Sequence, residues 1–134
     1  MNKNVLLISI IMLILTSGCA SQQKNAEKGF LEGKITIGPL CPVERDPPDP
    51  RCQPTQETYG AWQLAVFTTN KKEVAKIKPN LDGTYNIELL VGKYIVDFEN
   101  KQSFGFGSNN LPADILIESG KTSTLEVDID TGMR

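Results

Sequence analysis

The sequence predicts an all-β domain, a seven-stranded antiparallel β-sandwich lying behind an N-terminal signal peptide. Three observations carry that prediction. From Phe30 onward, apolar side chains recur at every second position, the period of a strand with one buried face. Turn-forming residues interrupt the pattern at short intervals: Asn70-Lys71-Lys72, Leu81-Asp82-Gly83, Val91-Gly92 and Ser119-Gly120. No segment beyond Phe30 sustains a helical period, so no helix is expected there.

Taken in order, the first strand falls over 31–37, with Leu31, Ile35 and Ile37 on one face and Lys34 on the other. The second, over 61–69, places Trp62, Leu64 and Val66 together, with Trp62 in the core or at the sandwich edge. A third follows at 73–78. The fourth, over 84–89, alternates Tyr85, Ile87 and Leu89 with Thr84, Asn86 and Glu88. In the fifth, over 93–98, Tyr94, Val96 and Phe98 oppose Lys93 and Asp97. A sixth spans 113–118. The seventh, over 122–130, turns Leu125, Val127 and Ile129 inward and Thr124, Glu126, Asp128 and Asp130 outward. Seven short strands on one core predict two packed sheets.

Asp82-Gly83-Thr84-Tyr85, Leu89 and Gly92-Lys93-Tyr94 together resemble the D-G-x-Y-x-x-x-L-x-x-G-x-Y signature of bacterial carboxypeptidase regulatory-like domains. That resemblance covers about residues 29–130 and implies a transthyretin-like (prealbumin-like) sandwich. Leu90-Val91 stands where family members often carry proline. The resemblance implies little about activity, because such modules accompany many functions.

The N-terminus carries a different message. Lys3 precedes the apolar run 5–15 (VLLISIIMLIL). About eleven helical residues reach roughly 16 Å, half the ~30 Å hydrocarbon core, so the run reads as a signal h-region and not a transmembrane helix. Thr16-Ser17-Gly18-Cys19 resembles the bacterial lipobox. The resemblance implies cleavage before Cys19 and diacylglycerol and palmitate-type acylation at Cys19, several chains being what a stable anchor requires. The expected organisation is therefore a signal peptide over 1–18, a flexible tether over 19–29 and a β-sandwich over 30–134. Ala20 follows the lipidated cysteine where an aspartate would resemble an inner-membrane retention signal, so the outer membrane is the expected site in a cell with two membranes.

With Cys19 lipidated, Cys41 and Cys52 remain as an even pair in an oxidising compartment and are expected to form a disulfide. They sit in a loop over 38–60 that holds six of the eight prolines: Pro39, Pro42, Pro47, Pro48, Pro50 and Pro54. Proline fixes φ and lacks a backbone donor, so this loop cannot be a central strand. The bridge either staples a long connection or stiffens a recognition loop displaying Glu44, Arg45, Asp46, Asp49 and Arg51. In the second case rigidity lowers the cost of ordering on binding. A narrower version offers Arg45 or Arg51 to a trypsin-like pocket. A second long loop, 100–110, carries Phe104 and Phe106 between glycines, either closing the end of the sandwich or forming an aromatic platform for a glycan.

Composition limits the chemistry. There is no histidine, which removes His-based triads, imidazole acid–base catalysis and His-ligated zinc. Lys and Arg number 14 against 16 Asp and Glu, a net charge of −2, which is no footprint for nucleic acid. Glu126, Asp128 and Asp130 line one solvated strand face, an arrangement that needs no metal, and no metal site or cofactor is assigned. A glycosidase would need paired acids facing across a cleft, whereas the acids here fall on outward faces and loops. The sequence thus predicts a non-enzymatic, membrane-tethered lipoprotein, a binding or structural module of the cell envelope. Its partners would be the membrane, through the lipid anchor, and an envelope protein or glycan. The alternatives are an accessory domain of an envelope enzyme, or an adhesin or protease inhibitor working through the 41–52 loop.

Overall fold

β1 (Lys28–Gly38) is the longest strand and the one around which the chain is organised. A computed structural model describes residues 26–43, 45–100 and 107–133. One edge of β1 pairs antiparallel with β4 (Thr84–Leu90), from Lys28↔Leu90 to Lys34↔Thr84. The other edge pairs in parallel with β7 (Thr122–Thr124) and then with β8 (Val127–Asp130). The second sheet is antiparallel throughout, in the order β3 (Glu73–Ile77), β2 (Leu64–Thr68), β5 (Gly92–Phe98), β6 (Ala113–Ile117). Leu31, Ile35, Ile37, Tyr85, Leu89, Val127 and Ile129 from the first sheet meet Leu64, Val66, Ile77, Tyr94, Val96 and Ile117 from the second. Each such aliphatic side chain contributes about 1.5–3 kcal/mol when fully buried. The protein is an all-β sandwich.

Three details correct the sequence-based expectation. The described residues form eight strands, because the expected final strand is interrupted at Leu125–Glu126. Both of its parts keep one offset against β1, Phe30↔Thr122 and Ile35↔Val127, so a single line of chain breaks without slipping register. The first sheet is mixed and not purely antiparallel, since that line runs parallel to β1. A short helix, α1 (Gln56–Ala61), occupies the end of the proline-rich loop. The strand expected from residue 61 therefore begins only at Leu64, and Trp62 caps the helix instead of lying in β2. Trp62 is half-buried at the sandwich edge, its ring 6.1 Å from that of Phe98.

The break at Leu125 has a specific cause. The Leu125 N–H still donates to Glu32 O (2.9 Å), but its carbonyl accepts from the Tyr85 hydroxyl (2.7 Å) instead of joining the ladder. That carbonyl leans over Gly33, where a Cβ would lie 1.9 Å from the oxygen. The Asp82-Gly83-Thr84-Tyr85 signature is likewise committed to architecture. Asp82 Oδ1 accepts from Thr84 N (3.0 Å) and Thr84 Oγ1 (2.7 Å), which holds the Asp82 carboxyl below its ordinary range. Gly83 takes φ +86° against the Ile35 carbonyl, a conformation and an approach that suit glycine. Tyr94 closes the following turn by donating to Leu90 O (2.8 Å).

Tyr85 yields a pH prediction. Burial, reinforced by Glu126, pushes its phenol up to about 12. The folded value lies above the ~10 of an unfolded tyrosine, so this stabilisation is complete below about pH 10 and is lost as pH rises through the folded value, about 2–3 kcal/mol in all. The Tyr85 phenol should titrate late in near-ultraviolet phenolate absorbance, and burial also raises Tyr59, so the Tyr85 step is identified by substitution. Tyr85→Phe should delete that late step and lower stability at neutral pH by about 1–2 kcal/mol, because the Leu125 carbonyl loses its donor. Persistence of the late step in the variant would reassign it to another phenol.

Candidate functional site

The loop leaving β1 carries the site. Gly38 and Pro39 are tied to the chain beyond β8: Thr131 N donates to Gly38 O (3.1 Å), and the Thr131 hydroxyl donates to Pro39 O. Cys41 and Cys52 then close a disulfide ring across a sequence separation of 11, their Cα atoms 5.5 Å apart. Four prolines within the ring, Pro42, Pro47, Pro48 and Pro50, restrict its backbone before any ligand arrives. The ring ends in a 3-10 turn, Pro50–Cys52, capped by Asp49, which accepts from Arg51 N (2.9 Å).

Arg51 closes back on the same carboxylate as a fork, Nε to Oδ1 at 3.0 Å and Nη2 to Oδ2 at 2.7 Å. The guanidinium holds Asp49 below its ordinary range, with the Arg51 backbone N–H adding to the effect, and the carboxylate raises Arg51 in return. Asp49 and Arg51 therefore form one neutral clasp and not two independently displayed charges. Arg45 and Asp46 are exposed on the ring. Glu44, Phe104, Phe106 and Cys19 lie outside the described residues.

α1 seats the ring on the sandwich. Thr55 N-caps it by accepting from Thr58 N (3.2 Å), and Thr58 Oγ1 accepts from Thr55 N (3.1 Å) in return, a reciprocal capping box. The helix turns Tyr59 into the core and sends Gln56 Nε2 to Pro79 O (3.3 Å). Two recesses flank the disulfide strap and share Leu40, Cys52 and Gln53. One, of about 280 Å³, is bounded also by Val43, Arg45, Pro48 and Asp49. The other, of about 320 Å³, lies toward Thr36, Tyr59, Leu81 and Asp82. Both are at the small end of ligand cavities, the size of a side chain or one sugar ring and too small to enclose a large cofactor. Asp128 and Asp130 point outward from β8, and among the described residues no three Asp, Glu, Cys or His side chains come together as a metal-binding group.

No family model matches the sequence, and no curated protein does. Solved structures share part of its backbone course. A DUF3823 family protein from Parabacteroides merdae is 15% identical over 78% of this chain and 47% of its own, with a TM-score of 0.46. GBS52, the minor pilin of Streptococcus agalactiae, is 15% identical over 78% of this chain and 44% of its own, with a TM-score of 0.47. BcpA, the major pilin subunit of Bacillus cereus, is 13% identical over 77% of this chain and 29% of its own, with a TM-score of 0.46. The chain spans less than half the length of each.

Tyr59 and Asp82 are among the recess-lining residues that sequence reasoning missed. Tyr59 arrives on the unforeseen helix, whose start was signalled by Pro54-Thr55 and by Glu57 in the first turn. Asp82 stands in the sequence as a turn residue and as the opening of the D-G-x-Y signature, and no sequence signal places that turn beside Thr36.

Proposed function

We propose that this chain is a non-enzymatic lipoprotein of the cell envelope, with a carboxypeptidase regulatory-like sandwich that holds the Cys41–Cys52 ring away from the membrane for contact with an envelope protein or glycan. One observation carries the reading. β1 begins where the tether enters, at Lys28, and ends at Gly38, where the ring departs. Eleven residues of extended chain separate the two ends by roughly 33 Å, so a lipid on Cys19 and a contact through the ring act at opposite poles. The absence of histidine and the outward placement of the acids support a binding role over proton chemistry. Among the described residues, the ring's prolines, disulfide and Asp49–Arg51 clasp leave Arg45 and Asp46 as exposed charges that can select a partner on a frame already ordered.

Intact mass of native material should show acyl chains on Cys19. Crosslinking in intact cells should give a defined adduct that Arg45→Glu combined with Asp46→Lys abolishes, while the thermal midpoint stays put. An unacylated Cys19 removes the anchor from the reading. An adduct unaffected by the charge swap removes the ring and leaves a scaffold.

A further inference from the structure

We infer that the partner met at the ring pole is a protein, and that an extended peptide segment of it docks on the open edge of β1 at Ile37; the inference rests on the reading of that pole as a contact site. Strand alternation leaves this edge unpaired. Even-numbered residues of β1 turn their backbone groups toward the β7–β8 line: Glu32 O accepts from Leu125 N and Gly38 O from Thr131 N. Odd-numbered residues therefore face the other edge, which β4 covers only as far as Lys34. Gly83 O extends that cover by a single bond, to Ile35 N (2.9 Å). Ile37 is the next residue to face this edge, and among the described residues neither its N–H nor its carbonyl has a hydrogen-bond partner there. Pro39 follows with no N–H, and its carbonyl accepts from the Thr131 hydroxyl. The edge thus offers one donor and one acceptor, both from Ile37.

This stretch opens into the recess of about 320 Å³ beside the disulfide strap, bounded by Ile37 and its neighbours on β1 and by Gln53 and Pro54 of the strap. One side chain marks the recess as a binding site. Tyr59 is 6% exposed and lines it, yet its hydroxyl makes no hydrogen bond among the described residues. Among those residues no fully buried side-chain polar atom lacks a partner, so this hydroxyl must reach the open space of the recess. It stands at the Asp82-Gly83 turn, 3.1 Å from where a Cβ on Gly83 would lie. Burial, with the Asp82 charge adding to it, raises the phenol above its ordinary range, so it keeps its proton and can donate. Lys34 and Asp82 are the charged residues of the lining and they offset one another, so the recess favours neither a cation nor an anion.

These features select an extended peptide. An antiparallel segment in line with β4 would exchange two hydrogen bonds with Ile37, its N–H meeting the Ile37 carbonyl and its carbonyl the Ile37 N–H. The residue opposite Ile37 turns its side chain to the same sheet face as Ile37, the inner one, where the hydroxyl or amide of a serine, threonine or asparagine can accept from Tyr59. A sugar ring finds less here, because the one aromatic ring lining the recess is buried. Gly83 stands opposite Ile35 and Pro39 follows Gly38, so the segment pairs briefly and then turns away. Such a short pairing recognises a main chain, and contacts with the ring supply the rest of the grip.

The test uses the full chain in detergent micelles, isotope-labelled so that amide hydrogen exchange is read residue by residue. In the free protein the Ile37 amide should exchange at least about tenfold faster than those of Thr36 and Gly38, which face β8. Short peptides are then selected on the same protein from a random display library. A selected peptide should slow Ile37 exchange at least about tenfold. N-methylation of the one peptide nitrogen that meets the Ile37 carbonyl should weaken its binding about tenfold. Tyr59→Phe should weaken it about threefold or more while the thermal midpoint stays put, since the hydroxyl holds nothing in the free protein. An Ile37 amide already protected in the free protein overturns the open edge. Peptides that shift the Arg45 and Asp46 amides but leave Ile37 exchange unchanged overturn the edge site and leave the ring contact standing. Binding indifferent to N-methylation at every position, or to loss of the Tyr59 hydroxyl, overturns the docking described here. If no peptide is enriched above a protein-free control, the peptide assignment falls, and the ring reading rests on its crosslinked adduct alone.

Discussion

Gly33→Ala should remove a large share of the stability of this domain, about 4 kcal/mol, in a fold whose total is expected to be about 5–15 kcal/mol. The Cβ of an alanine would lie 1.9 Å from the Leu125 oxygen and 2.7 Å from the Leu125 carbonyl carbon. Both are backbone atoms, so no side-chain rotation relieves the overlap. Relief requires β1 and the β7–β8 line to separate, which breaks the Leu125 N–H bond to Glu32 and draws the Leu125 carbonyl away from Tyr85. Urea unfolding measures it: the midpoint should collapse, or no cooperative transition should remain. Gly60→Ala is the control. It lies within α1 with open space around its Cβ position, and there alanine should gain about 0.5–1 kcal/mol. A Gly33→Ala midpoint close to that of the parent would mean the two chain segments separate at little cost, contrary to the packing described above.

That crossing also marks the boundary between what sequence and structure each reveal. Alternation along 122–130 correctly points Leu125, Val127 and Ile129 inward, and all three remain in or against the core. Alternation says which face a residue occupies but not which strand lies beside it. The parallel pairing with β1 and the break at Leu125 arise from contacts among Gly33, Tyr85 and Leu125, which are far apart in sequence. α1 was a different kind of omission. Its capping residues, Thr55 and Thr58, are visible in the sequence, but six residues are too few to display a helical period, and the neighbouring prolines argue for loop. In the site, cysteine counting sufficed to pair Cys41 with Cys52. The Asp49–Arg51 clasp did not announce itself, because two charges separated by one proline read equally well as free or joined until the 3-10 turn brings them together.

Replacing both bridge cysteines, Cys41→Ala with Cys52→Ala, should cost about 3 kcal/mol, from the entropy regained by a ring of this length in the unfolded chain. Substituting both avoids a stray thiol and leaves the two half-buried positions filled by small side chains. The loss should be uneven in space. Gly38 and Pro39 remain held by Thr131, and α1 keeps Tyr59 in the core. The strand pairings at the tether end contain nothing from the ring. Hydrogen exchange should therefore quicken first at the Arg51, Cys52 and Gln53 amides, while exchange in β4 and β5 tracks only the global change. This pattern separates a preorganised contact loop from a simple staple. If the ring selects a partner, the double variant should lose the crosslinked adduct at temperatures where the sandwich remains folded, because ordering the opened loop then falls on the binding step. If the bridge only shortens a connection, capture should persist until the domain itself unfolds. A stability change below about 1 kcal/mol, well short of the loop-closure estimate, would show instead that the prolines and the Asp49–Arg51 clasp already hold the ring closed without the covalent bond.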